Sequence, residues 1–405
     1  MKKLIYLFLT VLIVACGDNN SDTGSNANVN SYQWAPATDL GNPLKQDNFS
    51  LLAANVNKII TYNGNLYIGG DFESIGGKII RSLAMWNGTT FTQIGNFNTP
   101  VIDMIVFNNK LYIQVAINND NNLEGQKLYS LNGGSLQQVF YQSSQTPGWL
   151  DCKGVPLILA KNYENDKRRK TEKWTVHNNH LYMYARPDCS IWGSDYILMK
   201  FDGLNFSWHS DYAFNHGILA SYNNNLYSTI DKNDMKGVYK WTGLYDNDNI
   251  NATGWGNITG NVLSNPDIND MVVYNNQLLI GGRFETIDGL TIKNFALYNG
   301  SSWKRVPDWL GVTGWPSEPV ELIIDPNGDL ISLFETGPFY PANDLGKFQY
   351  IFKLSNGSWT SLHNNLDKFV YLFSSKTLEF YKNELYLGSL NTLLNNVTLM
   401  KLSKK

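Results

Sequence analysis

Three shortages narrow the problem before any motif is found. No apolar run is long enough to cross a bilayer: the most hydrophobic stretch, residues 4–14, falls short of the ~17–25 residues of a spanning helix. There is no basic excess. Thirty-two Lys and Arg against 35 Asp and Glu leave a net charge of −3, which argues against nucleic acid as a partner, because phosphates demand a basic surface. Cysteine and histidine are scarce, at three and five in 405 residues, and no spacing among them marks a metal site. No cofactor motif is present either.

What is there begins with a leader. Lys2 and Lys3 precede the apolar residues 4–14, so residues 1–15 read as a secretory signal. It ends in Ile13-Val14-Ala15-Cys16-Gly17, which resembles a bacterial lipobox. The resemblance implies cleavage before Cys16, acylation of that residue and anchoring by its acyl chains, at ~0.8 kcal/mol per buried CH₂. Gly rather than Asp follows Cys16, which resembles the sorting pattern for the outer membrane. Residues 16–30 then form the lipidated Cys and an Asn/Ser/Gly-rich tether, too poor in apolar side chains to fold. Loss of Lys2 and Lys3 leaves 30 basic against 35 acidic groups, a net charge of −5.

Residues 31–405 are organised by a repeat. From Val56 to Gly95, four short alternating stretches are separated by Asn63-Gly64, a Gly-rich loop and Asn87-Gly88, and Asn-Gly is the favoured pair for a two-residue hairpin turn. The stretch LYIGGDF from Leu66 returns as LLIGGRF from Leu278. Weaker copies centre on Leu111, Leu181, Leu226, Leu330 and Leu385, so the seven centres lie 45, 70, 45, 52, 52 and 55 residues apart. Periods of about 40–50 residues with four strands each predict an all-β, seven-bladed β-propeller. The last repeat has only three strands before Lys405, and Tyr32-Gln33-Trp34 reads as an orphan fourth strand. The expectation is a ring closed by that N-terminal strand.

The double glycines Gly69-Gly70 and Gly281-Gly282, followed by an aromatic in the third strand, resemble the kelch repeat. GGDFESIGG is similar to repeats of fungal cortical-marker proteins and of bacterial surface propellers. The resemblance is strongest in repeats 1 and 5 and implies fold more than function. The glycines lie in strands, so they are expected to allow close backbone approach rather than to cradle phosphate.

Long connections are predicted between second and third strands and between repeats, at 141–173, 244–267 and 307–319 among others. Both classes emerge at one end of the disc, which becomes the candidate binding face. Cys152 and Cys189 are placed together on it, in an exported compartment that permits a disulfide between them. Trp149, Trp192, Trp255, Trp309 and Trp315 are placed in its loops with Arg186 and Arg283, a set suited to stacking on sugars or to a protein hot spot. Lys58, Asp103, Lys173 and Asp270 align in one column, read as solvated strand ends. His177 and His180 flank a turn and are read as solvated rather than as a metal pair.

The reading is therefore an exported, lipid-anchored monomer at the bacterial cell envelope, touching the membrane through its lipid alone and binding a protein or glycan through its long-loop face. The competing reading is a carbohydrate-active lyase or hydrolase, for which Glu285, Asp288, Glu335 and Asp344 could supply an acid and a base; their spacing singles out no catalytic pair. A third is a scaffold without ligand.

Overall fold

The structure, a computed structural model, describes residues 32–40, 55–116, 126–141, 155–159, 173–187, 197–210, 217–232, 235–243, 254–260, 267–306, 317–336, 348–362, 377–388 and 397–404. Seven antiparallel blades account for almost all of them. Blade 1 is built from Asn55–Tyr62, Asn65–Asp71, Leu83–Trp86 and Phe91–Gln93, and blade 2 from Val101–Phe107, Lys110–Ala116, Gln126–Asn132 and Ser135–Gln138. Blade 3 holds Thr175–His177, His180–Pro187, Ile197–Phe201 and Phe206–Ser210; blade 4 holds Leu219–Tyr222, Asn225–Lys232, Met235–Trp241 and Trp255–Asn257. Blade 5 comprises Asp267–Tyr274, Gln277–Arg283, Phe295–Tyr298 and Trp303–Arg305, and blade 6 Ser317–Ile324, Leu330–Thr336, Phe348–Ser355 and Ser358–Ser361. Blade 7 combines Thr377–Tyr381, Glu384–Gly388 and Val397–Lys404 with the N-terminal strand Tyr32–Leu40. The seven-bladed β-propeller expected from the repeat is what the chain forms.

Each blade is apolar on both faces because both are covered. The core divides into seven clusters, one per seam between neighbouring blades. Tyr62, Tyr67 and Leu83 of blade 1 meet Val101, Met104 and Leu111 of blade 2, and the series continues to Tyr381, Tyr386 and Leu399 of blade 7 against Val56, Ile59 and Leu66 of blade 1. That last cluster closes the ring. The closing strand runs antiparallel to the last one from Tyr32↔Lys404 to Leu40↔Val397, with a register shift between Pro36 and Thr38. A Pro and a bulge are devices that keep an outer edge from recruiting another strand.

The glycine motif is a device for joining blades. A Cβ on Gly69 would lie 2.5 Å from Val101 Cγ1 of blade 2, and one on Gly281 3.0 Å from Leu322 Cδ1 of blade 6. The stretch expected to be a loop is itself a small hairpin, Ser74–Ile75 with Lys78–Ile79 in blade 1 and Thr286–Ile287 with Leu290–Thr291 in blade 5. Each folds back onto the outer strand of the preceding blade: Ile75 pairs with Leu40, and the Asp288 amide donates to the Thr259 carbonyl at 2.8 Å. Phe72, Ile75 and Ile80, like Phe284, Ile287 and Ile292, are buried beneath it.

Two insertions differ from expectation. Within 141–173, Val155–Leu159 forms a strand that pairs with Phe140–Tyr141 and with the end of His180–Pro187, raising blade 3 at its long-loop end without adding a blade. The segment 244–267 does not all lie between blades, because Trp255–Asn257 is the fourth strand of blade 4, with Trp241 paired to Trp255. The insertion therefore sits in a third-to-fourth-strand turn, at the end otherwise closed by tight turns. Its base is pinned by the Thr242 amide donating to the Gly254 carbonyl at 2.8 Å.

Closure by Tyr32–Leu40 is testable by truncation. A chain starting at residue 31 should unfold in one cooperative calorimetric transition. A chain starting at residue 50 should lose that transition or aggregate, because blade 7 then exposes an edge and an apolar face.

Candidate functional site

Seven inner strands turn their unpaired edges toward the central channel, and buried amides there need acceptors. The column at Lys58, Asp103, Lys173 and Asp270 supplies them. Register places Glu321 and Thr377 at the same level, opposite Leu333 and Gly388, as Lys58 and Asp270 are opposite Gly69 and Gly281. Asp270 is fully buried; its Oδ1 accepts the Met271 amide and its Oδ2 the Leu322 amide of blade 6, both at 2.7 Å. Glu321 Oε2 accepts the Leu378 amide of blade 7 at 2.9 Å, and Thr377 Oγ1 the Ile59 amide of blade 1 at 3.1 Å. In blade 3 the Lys173 carbonyl accepts the Leu219 amide of blade 4 at 3.1 Å. Edge carbonyls are met in turn, by Asn57 Nδ2 donating to Val101 and Asn269 Nδ2 to Pro319, at 2.7 and 2.9 Å.

The charges are balanced across blades. Lys173 Nζ reaches past blade 4 to both Asp270 oxygens, at 2.6 and 2.7 Å. Lys58 lies 3.9 Å from Asp103. Burial works against its ammonium but is outweighed by Asp103, Glu321, Glu379 and Asp270, which hold the Lys58 pKa above the ordinary lysine value. Glu379 Oε1 accepts the Thr61 amide at 3.3 Å. Burial pushes its pKa above the ordinary carboxylate value despite the opposing pull of Lys58 and Thr61. The column thus consists of buried carboxylates engaged by half-buried lysines, not the solvated strand ends expected.

At the opposite end a second set of bonds repeats. The hydroxyl ending each of three inner strands donates to a turn carbonyl in the next blade: Tyr62 to Asn109 at 2.8 Å, Tyr222 to Asn276 at 3.0 Å, Tyr381 to Gly64 at 3.3 Å. His177 takes the corresponding place in blade 3. It is buried, with Nδ1 2.9 Å from Ser221 Oγ of blade 4 and Nε2 3.0 Å from Asn178 Nδ2, so it corrects the reading as a solvated turn residue. His180 is partly exposed. His209, between the rings of Tyr182 and Trp241, is pushed down to about pKa 4 chiefly by burial. Among the described residues no group of His, Cys, Asp and Glu could hold a metal ion.

The residues expected on the binding face fare unevenly. Trp255 is a correction: it is buried in the outer strand of blade 4, its ring edge-on to Trp241 at 5.2 Å. Arg283 ends the second strand of blade 5, paired with Asp267 and partly exposed. Arg186 pairs through its backbone with Ile158 in the raised part of blade 3. Glu285 and Asp288 share the blade 5 hairpin, and Glu285 is exposed and 3.6 Å from Lys293. Trp149, Trp192, Trp309, Trp315, Asp344 and the three cysteines, Cys16, Cys152 and Cys189, lie outside the described residues. One pair was missed from sequence: Glu318 is directly opposite Glu335 at the long-loop end of blade 6. Only the register of the two strands, which brings together residues 17 apart in sequence (335 − 318), could have revealed it.

At that end the second strands of blades 3, 4 and 6 continue through 185–187, 230–232 and 334–336, past the level of the charged column, whereas those of blades 1 and 5 end at Asp71 and Arg283, closer to that level. The result is a polar-floored mouth with an uneven rim.

No protein-family model and no curated protein matches the chain. Solved structures resemble it in overall path. The sialidase of Trypanosoma rangeli is 13% identical with a TM-score of 0.42, over 92% of this chain and 59% of its own. The polysaccharide lyase Uly1 is 11% identical with a TM-score of 0.43, over 89% and 91%. An α-L-arabinofuranosidase from Clostridium thermocellum is 16% identical with a TM-score of 0.30, over 64% and 94%. The chain spans less than two thirds of the sialidase's length.

Two stability outcomes follow from the column. Asp270→Ala strands two buried amides and the Lys173 ammonium, and should cost about 3–5 kcal/mol in denaturant unfolding. Glu379 binds its proton more tightly folded than unfolded. Its contribution is therefore complete below the unfolded value near 4.5 and is lost as pH rises through the folded value. Glu379→Gln should flatten that fall in a series of melts from pH 4 upward.

Proposed function

We propose that this chain is an exported, lipid-anchored propeller of kelch-like repeat that engages a glycan at the cell envelope through its long-loop mouth. The observation that carries the reading is the asymmetry of the disc. One end is drawn tight by short turns and, in three blades, by tyrosine bonds to the next blade, while the other has a raised, uneven rim around a polar floor. A walled polar recess suits an extended, hydroxyl-rich chain better than a flat protein interface does, and the tryptophans at 192 and 315 would supply stacking faces. Lipidation at Cys16 and a Cys152–Cys189 bridge belong to the same reading: the first holds the domain at the envelope, the second braces two insertions of blade 3.

A second reading, a carbohydrate-active enzyme, is favoured by one observation. Glu318 and Glu335 occupy directly opposed register positions on adjacent strands at the mouth, which brings to one place the two carboxyl-bearing residue types that an acid and a base require. The channel carboxylates are poorer candidates, because backbone amides already engage them.

The soluble chain from residue 31 should bind saccharides on a glycan array. Trp192→Ala and Trp315→Ala should weaken binding at least tenfold, the scale of an aromatic hot spot worth about 2 kcal/mol. A blank array, or variants that bind as well as the parent, would remove the glycan reading. Turnover of a bound glycan, abolished in Glu318→Gln, would convert binder to enzyme.

A further inference from the structure

Three of the chain's five histidines meet in one seam, between blades 3 and 4. They gather around the ring of Tyr182, at centroid distances of 5.8 Å for His177, 6.5 Å for His180 and 4.9 Å for His209. His209 also lies 4.6 Å from the ring of Trp241 in blade 4. Tyr182 is buried, and with Tyr184 and Leu198 it packs against Leu219, Leu226 and Tyr239 of blade 4. The imidazoles therefore border an apolar seam.

The bonds around these rings are those of neutral imidazoles. His177 Nε2 is 3.0 Å from the Asn178 side-chain nitrogen, a donor, so Nε2 accepts there and Nδ1 donates to Ser221 Oγ of blade 4 at 2.9 Å. A second proton, on Nε2, would set donor against donor. His180 Nδ1 donates to the Asn178 carbonyl at 2.8 Å. Among the described residues His209 Nε2 has no hydrogen-bond partner, and it is sealed from solvent, so an added proton and its charge find no acceptor.

The charges nearby make protonation harder. Burial opposes it most at His209, and Lys200, His177 and His180 add to the effect, which brings its pKa down to about 4. Burial, then His180, holds His177 below the ordinary value. The other titratable groups of the seam core are phenols, Tyr182 and Tyr184 from blade 3 and Tyr239 from blade 4. Lys240 falls between Tyr239 and Trp241 in its strand and so takes the opposite face. Asp202, beside His180, spends its Oδ1 on the Leu204 and Asn205 amides of its own turn, both at 2.7 Å.

Other seams are fastened differently. In blades 1, 4 and 7 the inner strand ends in a tyrosine whose hydroxyl clips the next blade, a group that stays neutral in acid. In blade 3 the clip is His177. The strand His180–Pro187 carries His180 and Tyr182 at one end and pairs with Val155–Leu159 in the raised rim at the other. Fastening and rim share one strand.

We infer that the histidine cluster is an acid-released latch: neutral, it fastens blade 3 to blade 4, and protonated, it charges the seam and lets blade 3 part from its neighbour with the rim it carries. The sign follows from burial. A histidine held below its ordinary value of 6.5 contributes fully above that value and loses the contribution as pH falls toward the folded value.

The test follows amide hydrogen exchange in the full chain from pH 7.5 to pH 4.5. The Leu219 amide, which donates to the Lys173 carbonyl across this seam at 3.1 Å, reports the latch. The Ile59 amide, which donates to Thr377 Oγ1 at 3.1 Å across the seam of blades 7 and 1, is the reference. Protection of Leu219 relative to Ile59 should fall at least tenfold, out of the roughly 300-fold that a drop from 6.5 to about 4 makes available. The double variant H177Y/H209F supplies the hydroxyl clip of the other blades and an aromatic ring that does not titrate, and should keep the ratio constant. Imidazole proton signals of the parent give a second readout, with His209 titrating below 6.5. An unchanged ratio down to pH 4.5, an equal fall in parent and double variant, or a His209 titration at or above 6.5 would each overturn the latch. Because the ratio and the titration are both read on the parent, a variant that fails to fold leaves the inference exposed to both.

Discussion

The inner edge of each blade is the constraint on which the rest depends. A four-stranded sheet set radially has an innermost strand with half its backbone groups unpaired by its own sheet, facing the channel. Left alone, seven such edges would each bear unsatisfied amides, at a cost comparable to a lost hydrogen bond apiece. The chain answers from the side, with an acceptor from one blade capping the first edge amide of the next. Asp270, Glu321 and Thr377 do this in succession across blades 5, 6, 7 and 1. A register shift just before Lys58, Asp103, Asp270 and Glu321 gives the column its common level, and a bulge is a known way to re-aim a side chain. Once carboxylates cap amides they need cations, and Lys58 and Lys173 follow from that.

This arrangement couples neighbours twice. Near the long-loop end the coupling is ionic and buried; at the tight end it is a tyrosine hydroxyl on a turn carbonyl. Between them lies one apolar cluster per seam. Blades 1 and 5 add a third tie, the glycine-motif hairpin clasping the outer strand of the blade before.

The repeat was legible in sequence because its signals are local: a Leu-led second strand, with an aromatic next to the Leu in five blades, and an Asn-containing turn before it recur around the ring and need no knowledge of the partner blade. The closing strand was legible for a related reason, since a count of four strands per blade left the last one short by one and Tyr32-Gln33-Trp34 without a home. What failed depended on contacts across seams. Asp103 and Asp270 look like ordinary strand-end charges until the neighbouring edge amide is in view. His177 looks like a turn residue until it is seen in the position that Tyr62 and Tyr222 occupy elsewhere. Trp255 was misplaced because its turn carries an insertion in place of a short Asn-Gly turn, so the three-residue strand behind it gave no periodic signal.

The same logic separates stability from recognition. Carboxylates that cap backbone amides cannot also approach a ligand without releasing those amides, so the charged column is held out of any chemistry at the mouth. A residue used for recognition should show the reverse: exposed, unneeded by the backbone, and kept although a simpler residue would serve the fold better. At the long-loop end, Glu318 and Glu335 hold opposed register positions on adjacent strands. The apolar seams between neighbouring blades, not the turns, carry the stability of the disc.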